Sequence, residues 1–190
     1  MFERDLRDLT GIQRWTIVPS LHGQNVAEHS FMVAVYADQL ATYFGWNGDR
    51  GALLRYALWH DVEELFTGDV PRPVKYKTFG GEARKWLDAW LTKSFPKGEW
   101  RKPDDAVLTG LVRLADCVDA VLWVRHAGND HSNLLVALHK RFMAVLSALP
   151  FAEDAKHHVI FQLDAAAESR PSPRTDALAV DELKWSFGPS

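Results

Sequence analysis

The chain has 190 residues, of which 47% are hydrophobic and 25% charged, so one globular domain is expected rather than two. Its formal net charge of −3, from 22 basic and 25 acidic residues, gives no overall field that would favour a nucleic acid polymer or an anionic membrane. The single cysteine, Cys117, excludes an intramolecular disulfide and a multi-cysteine zinc site. With no signal-peptide pattern and no membrane-span pattern, these features favour a cytoplasmic protein.

Helical periodicity recurs along the chain, whereas the alternation typical of strands does not. The pattern predicts helices over residues 26–44, about 49–65, 80–95, 103–128, 132–149 and 151–167. We therefore expect an all-α fold, a single-domain helical bundle. The domain should span residues 1–168, and residues 169–190 should form a C-terminal tail that is loosely ordered or docked.

Two details of this pattern bear on function. In the helix at 80–95, four apolar side chains at helical spacing are expected to face inward: Trp86, Leu87, Trp90 and Leu91. Directly after the helix at 49–65, Gly68, Pro71 and Pro73 prevent a regular element. A fixed loop is therefore predicted at the end of the second helix.

Four side chains form a candidate metal-binding set: His29, the neighbouring pair His60 and Asp61, and Asp116. Asp116 interrupts the apolar face of its helix, and an acid is rarely buried unless it is paired or bound to a metal. Two imidazoles and two carboxylates suit a divalent ion such as Zn, Co, Mn, Fe, Ni or Mg, with positions left for water and a substrate oxygen. Such an ion would lower the pKa of its water and polarise a phosphoryl group.

Glu64 is the candidate catalytic carboxylate. If 49–65 is one continuous helix, Glu64 lies at i+4 from His60 and i+3 from Asp61, on the same face as the pair. A carboxylate there can reach water at the metal site. The neighbouring Glu63 is expected to be a solvated charge, and Asp119, at i+3 from Asp116, an exposed or ion-paired acid.

The remaining histidines lie in no ligand-like pattern and are expected to be ordinary satisfied or exposed imidazoles: His22, His126, His131, His139, His157 and His158. A basic group is expected by default to form a solvated face, although at the mouth of a site it would favour a highly charged substrate: Arg72, Lys77, Arg84 and Lys85.

The order His29, His60–Asp61, Asp116 resembles the H…HD…D signature of the HD-domain metal-dependent phosphohydrolases. The string from His60 to Lys75, which contains Thr67-Gly-Asp69, is similar to one branch, the small bacterial 5′-deoxynucleotidases and the compact phage-type deoxynucleoside triphosphohydrolases. Arg14-Trp15 and Asn25-Val-Ala-Glu-His29 also carry the resemblance, which covers residues 14 to about 125.

The resemblance implies that His29, His60, Asp61 and Asp116 bind the metal. It implies that Glu64 activates water or protonates the leaving 5′-oxygen, and that Asp69 orients the attacking water or the sugar. Substrate contacts are implied for four further residues: Arg14 and Lys75 on phosphate, Trp15 as a wall against base or sugar, and Thr67 in the same loop. Trp15 has an alternative interpretation as a core residue.

The resulting hypothesis is hydrolysis of 2′-deoxynucleotides at the α-phosphorus. Basic residues near Arg14 and Lys75 favour a triphosphate, which would give deoxynucleoside and triphosphate; a 5′-deoxynucleotidase acting on monophosphates is the alternative. Two other classes are less favoured. An HD phosphodiesterase for cyclic or signalling nucleotides would need further ligand histidines, which the sequence pattern does not offer, and a non-catalytic nucleotide-binding regulator would be expected to lack Glu64 or a ligand. The resemblance also implies a homo-oligomer, a dimer or larger.

Overall fold

A computed structural model describes residues 6–16, 18, 23–70, 81–95, 97–126 and 132–168. In these ranges a short 3-10 helix, Leu6–Gly11, and strands β1 (Gln13–Arg14) and β2 (Gln24–Asn25) precede the helices. The helices are α1 (Val26–Tyr43), α2 (Arg50–Trp59), α3 (Glu64–Thr67), α4 (Glu82–Ser94), α5 (Ala106–His126), α6 (Ser132–Ser147) and α7 (Glu153–Glu168). The all-α prediction is confirmed. In the described part of the chain, no helix combines the length and hydropathy that a membrane span needs.

The main core lies where α1 packs on α2 and α5, and where α5 packs on α6 and α7. Its centre consists of side chains of α1, α2, α5 and α6 that have no exposed surface: Val33, Ala37, Leu53, Ala57, Leu111, Leu114 and Phe142. These positions recur at the three- and four-residue spacing expected of an amphipathic helix. The helices that carry His29 and Asp116 are therefore held by the larger of the two hydrophobic clusters among the described residues.

A two-residue antiparallel ribbon leads into α1, a feature that the sequence pattern did not predict. Arg14 pairs with Gln24, and Gln13 with Asn25. The Asn25 side chain then accepts a hydrogen bond from the backbone N–H of Glu28, while the Glu28 carboxylate accepts one from the backbone N–H of Asn25. This reciprocal cap fixes the start of α1 and places His29 in its first turns, beside Gln24 of the ribbon.

The prediction of one helix over 49–65 is wrong, because α2 ends at Trp59 and α3 begins at Glu64. The His60 side chain explains the break: its Nδ1 lies 2.7 Å from the Ala57 carbonyl oxygen, which a continuing helix would bond to a backbone N–H. Tighter turns follow, with the N–H of Glu64 donating to the carbonyl of Asp61 at 3.0 Å. Side chains three residues apart eclipse in such turns, so Glu64 still lies on the Asp61 side.

A second, smaller hydrophobic cluster lies under these turns. It consists of Val62 with Leu87 and Leu91 of α4, and Phe95 just beyond that helix. The prediction that Trp86 faces inward is wrong: the side chain is 53% exposed and contacts the exposed Phe66, with ring centroids 4.7 Å apart. Helix α4 is thus anchored by Leu87 and Leu91, which are 2% and 1% exposed.

Candidate metal centre

The four predicted ligands converge in the structure. Ligand atoms of His29, His60 and Asp116 lie within 4.8 Å of one another, and Asp61 Oδ2 lies 3.5 Å from His29 Nε2 and 3.3 Å from His60 Nε2. Two atoms that bind one ion at about 2.1 Å each are at most about 4.2 Å apart, so the cluster would have to contract to seat an ion. Helix α1, the turn after α2 and helix α5 each supply part of the set.

The protonation of the two histidines can be assigned from their hydrogen bonds. His29 Nδ1 lies 2.6 Å from Asp119 Oδ2, and His60 Nδ1 lies 2.7 Å from the Ala57 carbonyl oxygen. Both partners are acceptors only, so each Nδ1 must carry the proton. Each Nε2 then faces the cluster, and among the described residues neither has a hydrogen-bond partner although both atoms are buried. Unsatisfied buried nitrogens with fixed Nδ1 protons are the arrangement of metal-ligating histidines.

The charges of the candidate ligands depend on one another. Burial lowers the pKa of His60, but the carboxylates of Asp61 and Asp116 and the Ala57 carbonyl outweigh it and raise the pKa to about 9. Burial would raise the pKa of Asp61, yet the imidazoles of His60 and His29 hold it well below its usual range. A cation would replace the proton on His60, so the site is preorganised for positive charge.

Arg141 joins the site from α6, and the sequence pattern gave no sign of it. Its Nη2 donates a hydrogen bond to Asp116 Oδ2. Burial raises the pKa of Asp116, but the Arg141 guanidinium and the two imidazoles lower it below its usual value. Arg141 thus favours the ionised form of Asp116.

Arg14 contacts the candidate metal centre, and Trp15 lies beside Arg14. Arg14 Nη1 donates to Asp61 Oδ2 at 3.2 Å, and only 10% of the Arg14 side chain is exposed. Trp15 has a left-handed backbone conformation, with φ of 61°, which is uncommon for a residue other than glycine. Its ring stacks on Trp123 at 5.2 Å, and the Arg14 guanidinium lies 5.6 Å from its centroid. The half-buried Trp15 packs against the main core, as the alternative interpretation had it, and its predicted role as a wall against base or sugar stays a prediction.

Asp69 holds the Trp15 backbone. Asp69 Oδ2 accepts a hydrogen bond of 3.0 Å from the N–H of Trp15. Gly68 has a φ of 67° and reverses the chain after α3, which brings Asp69 to that N–H. The predicted role of Asp69 in orienting water or sugar stays a prediction.

The two neighbouring glutamates differ. Glu64 is 4% exposed, whereas Glu63 faces α4 and accepts a hydrogen bond of 3.3 Å from Arg84 Nη1. Glu63 is therefore ion-paired, with 13% of its side chain exposed, and the expectation of a solvated charge is wrong. The Thr67 hydroxyl donates a hydrogen bond of 2.9 Å to the main-chain carbonyl of Gly68. The contact that the structure shows for Thr67 is therefore within its own loop.

Asp119 is the main residue that sequence reasoning undervalued. It is ion-paired, as one of the two expected outcomes had it, but it is 4% exposed and bonds a metal-ligand candidate.

Several other predicted residues lie outside the described residues: Lys75, Arg72, Lys77, His22, His131 and the tail 169–190. Arg84 and Lys85 bond acidic neighbours on α4, namely Asp88 and Glu82, and are 52% and 77% exposed.

Comparison with known proteins gives the same picture. Residues 1–80 match the family model of the 5′-deoxynucleotidase YfbR-like proteins. A dATP triphosphohydrolase of Salmonella phage PMBT28 is 33% identical over 157 residues, which cover 77% of this chain and 79% of the phage protein. The 5′-deoxynucleotidase YfbR of Escherichia coli O1:K1 / APEC is 39% identical over 182 residues, covering 92% and 86%.

A solved structure shows the same fold. The HD phosphohydrolase DatZ of cyanophage S-2L, bound to dA and one catalytic Zn²⁺ ion, superposes with a TM-score of 0.69 at 23% identity, over 85% of this chain and 93% of that chain. The His29, His60–Asp61, Asp116 cluster accounts for the HD signature in three dimensions. The chain belongs to the YfbR-like family of HD-domain metal-dependent phosphohydrolases.

Proposed function

We propose that this enzyme hydrolyses 2′-deoxynucleotides at the α-phosphorus, and that its preferred substrate is a triphosphate. The observation that carries the proposal is the convergence of two Nδ1-bonded histidines and two carboxylates with the Arg14 guanidinium, 3.2 Å from Asp61. The relatives named a dATP triphosphohydrolase and a 5′-deoxynucleotidase support the substrate class.

His29, His60, Asp61 and Asp116 would hold the divalent ion, which fits because both Nε2 atoms are buried and, among the described residues, have no hydrogen-bond partner. When bound, the ion supplies Lewis-acid polarisation of the phosphoryl group and lowers the pKa of a water. Arg14 holds a non-bridging oxygen of the α-phosphate by a charge-assisted hydrogen bond. Trp15 closes the pocket beside the sugar and base.

Glu64 moves the protons. In the reaction, an oxygen from water forms a bond to the α-phosphorus and the bond from phosphorus to the 5′-oxygen breaks. The buried Glu64 carboxylate accepts the proton of water, and the protonated acid returns it to the leaving 5′-oxygen. The products of dATP are then deoxyadenosine and triphosphate, and those of dAMP are deoxyadenosine and phosphate.

The preference for a triphosphate is supported by positive charge next to the site. A cavity of about 470 Å³ is lined by Arg55, Lys97 and Arg101, with Glu99 as an acid, and by Tyr56, one helical turn before His60. Arg55→Ala should raise the KM for dATP while leaving that for dAMP unchanged. Equal effects on both substrates would argue against a role for this cavity in holding the distal phosphates.

The direct test is incubation of the purified protein and Mn²⁺ with dATP, dAMP, ATP and AMP, followed by anion-exchange chromatography. Release of intact triphosphate from dATP is the expected result. Phosphate from dAMP with dATP untouched would make the enzyme a 5′-deoxynucleotidase, the alternative. If neither deoxynucleotide is hydrolysed, the proposed function is wrong.

We also propose that the protein works as a homo-oligomer in the cytoplasm of a bacterium or of a phage-infected bacterium. The sources of the relatives, a bacterium and a phage, support the location. Large exposed apolar side chains, among them Phe31 at 61% and Phe161 at 65%, support self-association. Light scattering coupled to size-exclusion chromatography tests the assembly, and a monomer at micromolar concentration would contradict it.

A further inference from the structure

A chain of three hydrogen bonds connects the substrate wall to a metal-ligand candidate. The indole Nε1 of Trp15 donates to Gln24 Oε1 at 3.1 Å. Gln24 Nε2 donates to Asp119 Oδ2 at 2.9 Å, and the same oxygen accepts from His29 Nδ1 at 2.6 Å. The chain spans the ribbon, α1 and α5, so it joins segments that are far apart in sequence.

The direction of every bond in this chain is fixed by chemistry. An indole N–H can only donate and an ionised carboxylate can only accept, so the Gln24 amide has one acceptable orientation. A flipped amide would put its NH₂ group against the indole N–H and its oxygen against the carboxylate. Gln24 therefore bonds Trp15 through its amide oxygen and Asp119 through its amide nitrogen, and cannot exchange the two.

Loss of any of these hydrogen bonds would cost free energy, because the side chains that make them are buried. His29 is 0% exposed, Asp119 4% and Gln24 5%. A buried donor or acceptor that loses its partner cannot form a replacement hydrogen bond with water. Each residue of the chain is therefore held in place by the hydrogen bonds of the others. Gln24 is also the cross-strand partner of Arg14, which bonds Asp61, so the ribbon meets the metal centre at two points.

We propose that Asp119 and Gln24 are positioning residues that couple the Trp15 wall to the metal ligand His29. Asp119 holds the His29 ring with Nε2 towards the ion, and Gln24 ties the Trp15 indole to the same carboxylate oxygen. The inference rests on the proposed metal and substrate sites and adds that each site strengthens the other. Because coupling between two binding events is reciprocal, a nucleoside against Trp15 and an ion at His29 should each tighten the binding of the other.

The first test measures Mn²⁺ binding by calorimetry without any nucleotide. Asp119→Asn should weaken Mn²⁺ binding roughly 10- to 100-fold, as loss of a partner behind a ligating histidine usually does. Gln24→Met keeps the length of the side chain but removes both hydrogen bonds, and should weaken Mn²⁺ binding roughly 2- to 10-fold. Gln39→Met, the same change at an exposed position of α1, is the matched control and should bind Mn²⁺ as the wild type does.

The second test measures the coupling itself with deoxyadenosine, which has no phosphate to contact the ion. In the wild type, Mn²⁺ should tighten deoxyadenosine binding roughly 2- to 10-fold, and Gln24→Met should abolish this gain. Trp15→Phe, which removes the indole N–H but keeps an aromatic ring, should also abolish it. This variant keeps the test decisive if Gln24→Met does not fold.

Wild-type Mn²⁺ affinity in either Asp119→Asn or Gln24→Met would overturn the proposal, and so would a full Mn²⁺ effect on deoxyadenosine binding in Trp15→Phe. These measurements involve no turnover. A protein that binds Mn²⁺ as expected but hydrolyses no deoxynucleotide would contradict the proposed function, and the role of Asp119 and Gln24 would stand.

Discussion

The two sides of the metal centre are built differently. On one side, His29, Asp116 and Asp119 lie within the long helices α1 and α5, which the main core holds. On the other side, His60, Asp61, Glu64 and Asp69 lie in turns and in the four-residue helix α3, above the small cluster of Val62, Leu87, Leu91 and Phe95. The candidate ligands are therefore divided between a regular part of the fold and an irregular one.

The difference has a physical meaning for function. A segment with few buried apolar neighbours opens at a lower free energy than one in the main core. The helical side can hold its ligands before substrate arrives, whereas the turn side, which carries the candidate acid–base residue, can adjust to the bound nucleotide. The four predictions that follow test this division, in order of decreasing effect.

Loss of either histidine should abolish catalysis, but only one loss should be repairable. His29→Ala and His60→Ala should each lower kcat/KM by about 1000-fold or more, because the ion supplies several kcal/mol to the transition state. Free imidazole should partly restore His60→Ala, whose native side chain is 11% exposed, but not His29→Ala, where it is 0% exposed. Rescue of both variants in steady-state assays would contradict the division.

Glu64→Gln should lower kcat by about 100- to 10,000-fold, the usual contribution of a general acid–base group. Its affinity for Mn²⁺ should change little, because Glu64 is not in the ligand set. Glu63→Gln, one residue away and bonded to Arg84, is the matched control and should retain most of the activity. Equal losses in the two variants, by single-turnover kinetics, would argue against Glu64 as the catalytic carboxylate.

Two leucines separate the clusters. Leu111→Ala, in the main core and 0% exposed, should lower the free energy of unfolding by about 2–5 kcal/mol with little change in kcat at low temperature. Leu91 is 1% exposed in the small cluster. Leu91→Ala should lower the free energy of unfolding by only about 2 kcal/mol, the lower end of that range, but should reduce kcat. Urea unfolding measures the free energy and steady-state kinetics measures kcat. A loss of kcat in Leu111→Ala but not in Leu91→Ala would mean that the main core, and not the small cluster, positions the turns.

The metal-free protein should lose stability in alkali. The pKa of His60 is about 9 in the folded protein, above its ordinary value of 6.5, so its stabilising contribution is complete below pH 6.5 and is lost as the pH rises through 9. The total is about 3 kcal/mol, at about 1.4 kcal/mol for each pKa unit.

Urea unfolding from pH 6 to 10 with a chelator measures this loss. With saturating Mn²⁺ the loss should disappear, because the ion occupies the position of the proton. An alkaline loss that is the same with and without Mn²⁺ would exclude His60 as a ligand.

The helical fold and the candidate ligands could be recognised in the sequence because both depend on local patterns. The spacing of Val33, Ala37 and Leu40, or of Leu111 and Leu114, specifies a buried helix face. The His60–Asp61 pair and the interruption of an apolar face by Asp116 specify a polar site at the edge of that face. Such signals survive in a single chain because they depend on neighbours a few residues away.

The parts that were missed depend on contacts between distant segments. His60 ends α2 by bonding the Ala57 carbonyl, and no helix-breaking residue marks that point in the sequence. Arg141 lies 25 residues from Asp116 and Gln24 lies 95 residues from Asp119, so no periodicity connects them. The signal available for Asp119 was its place at i+3 from Asp116 on an otherwise apolar face, which argues for a buried and bonded acid.

The ribbon of β1 and β2 bears on engineering of substrate range. It carries Arg14 and Gln24, with Trp15 directly after β1, but none of the four candidate ligands. Substitutions or grafts in this short stretch would therefore change the proposed substrate contacts, while the four candidate ligands stay on α1, on α5 and in the turn after α2. If the proposed coupling holds, a graft would have to preserve Gln24, because its loss would weaken the binding of the ion at His29.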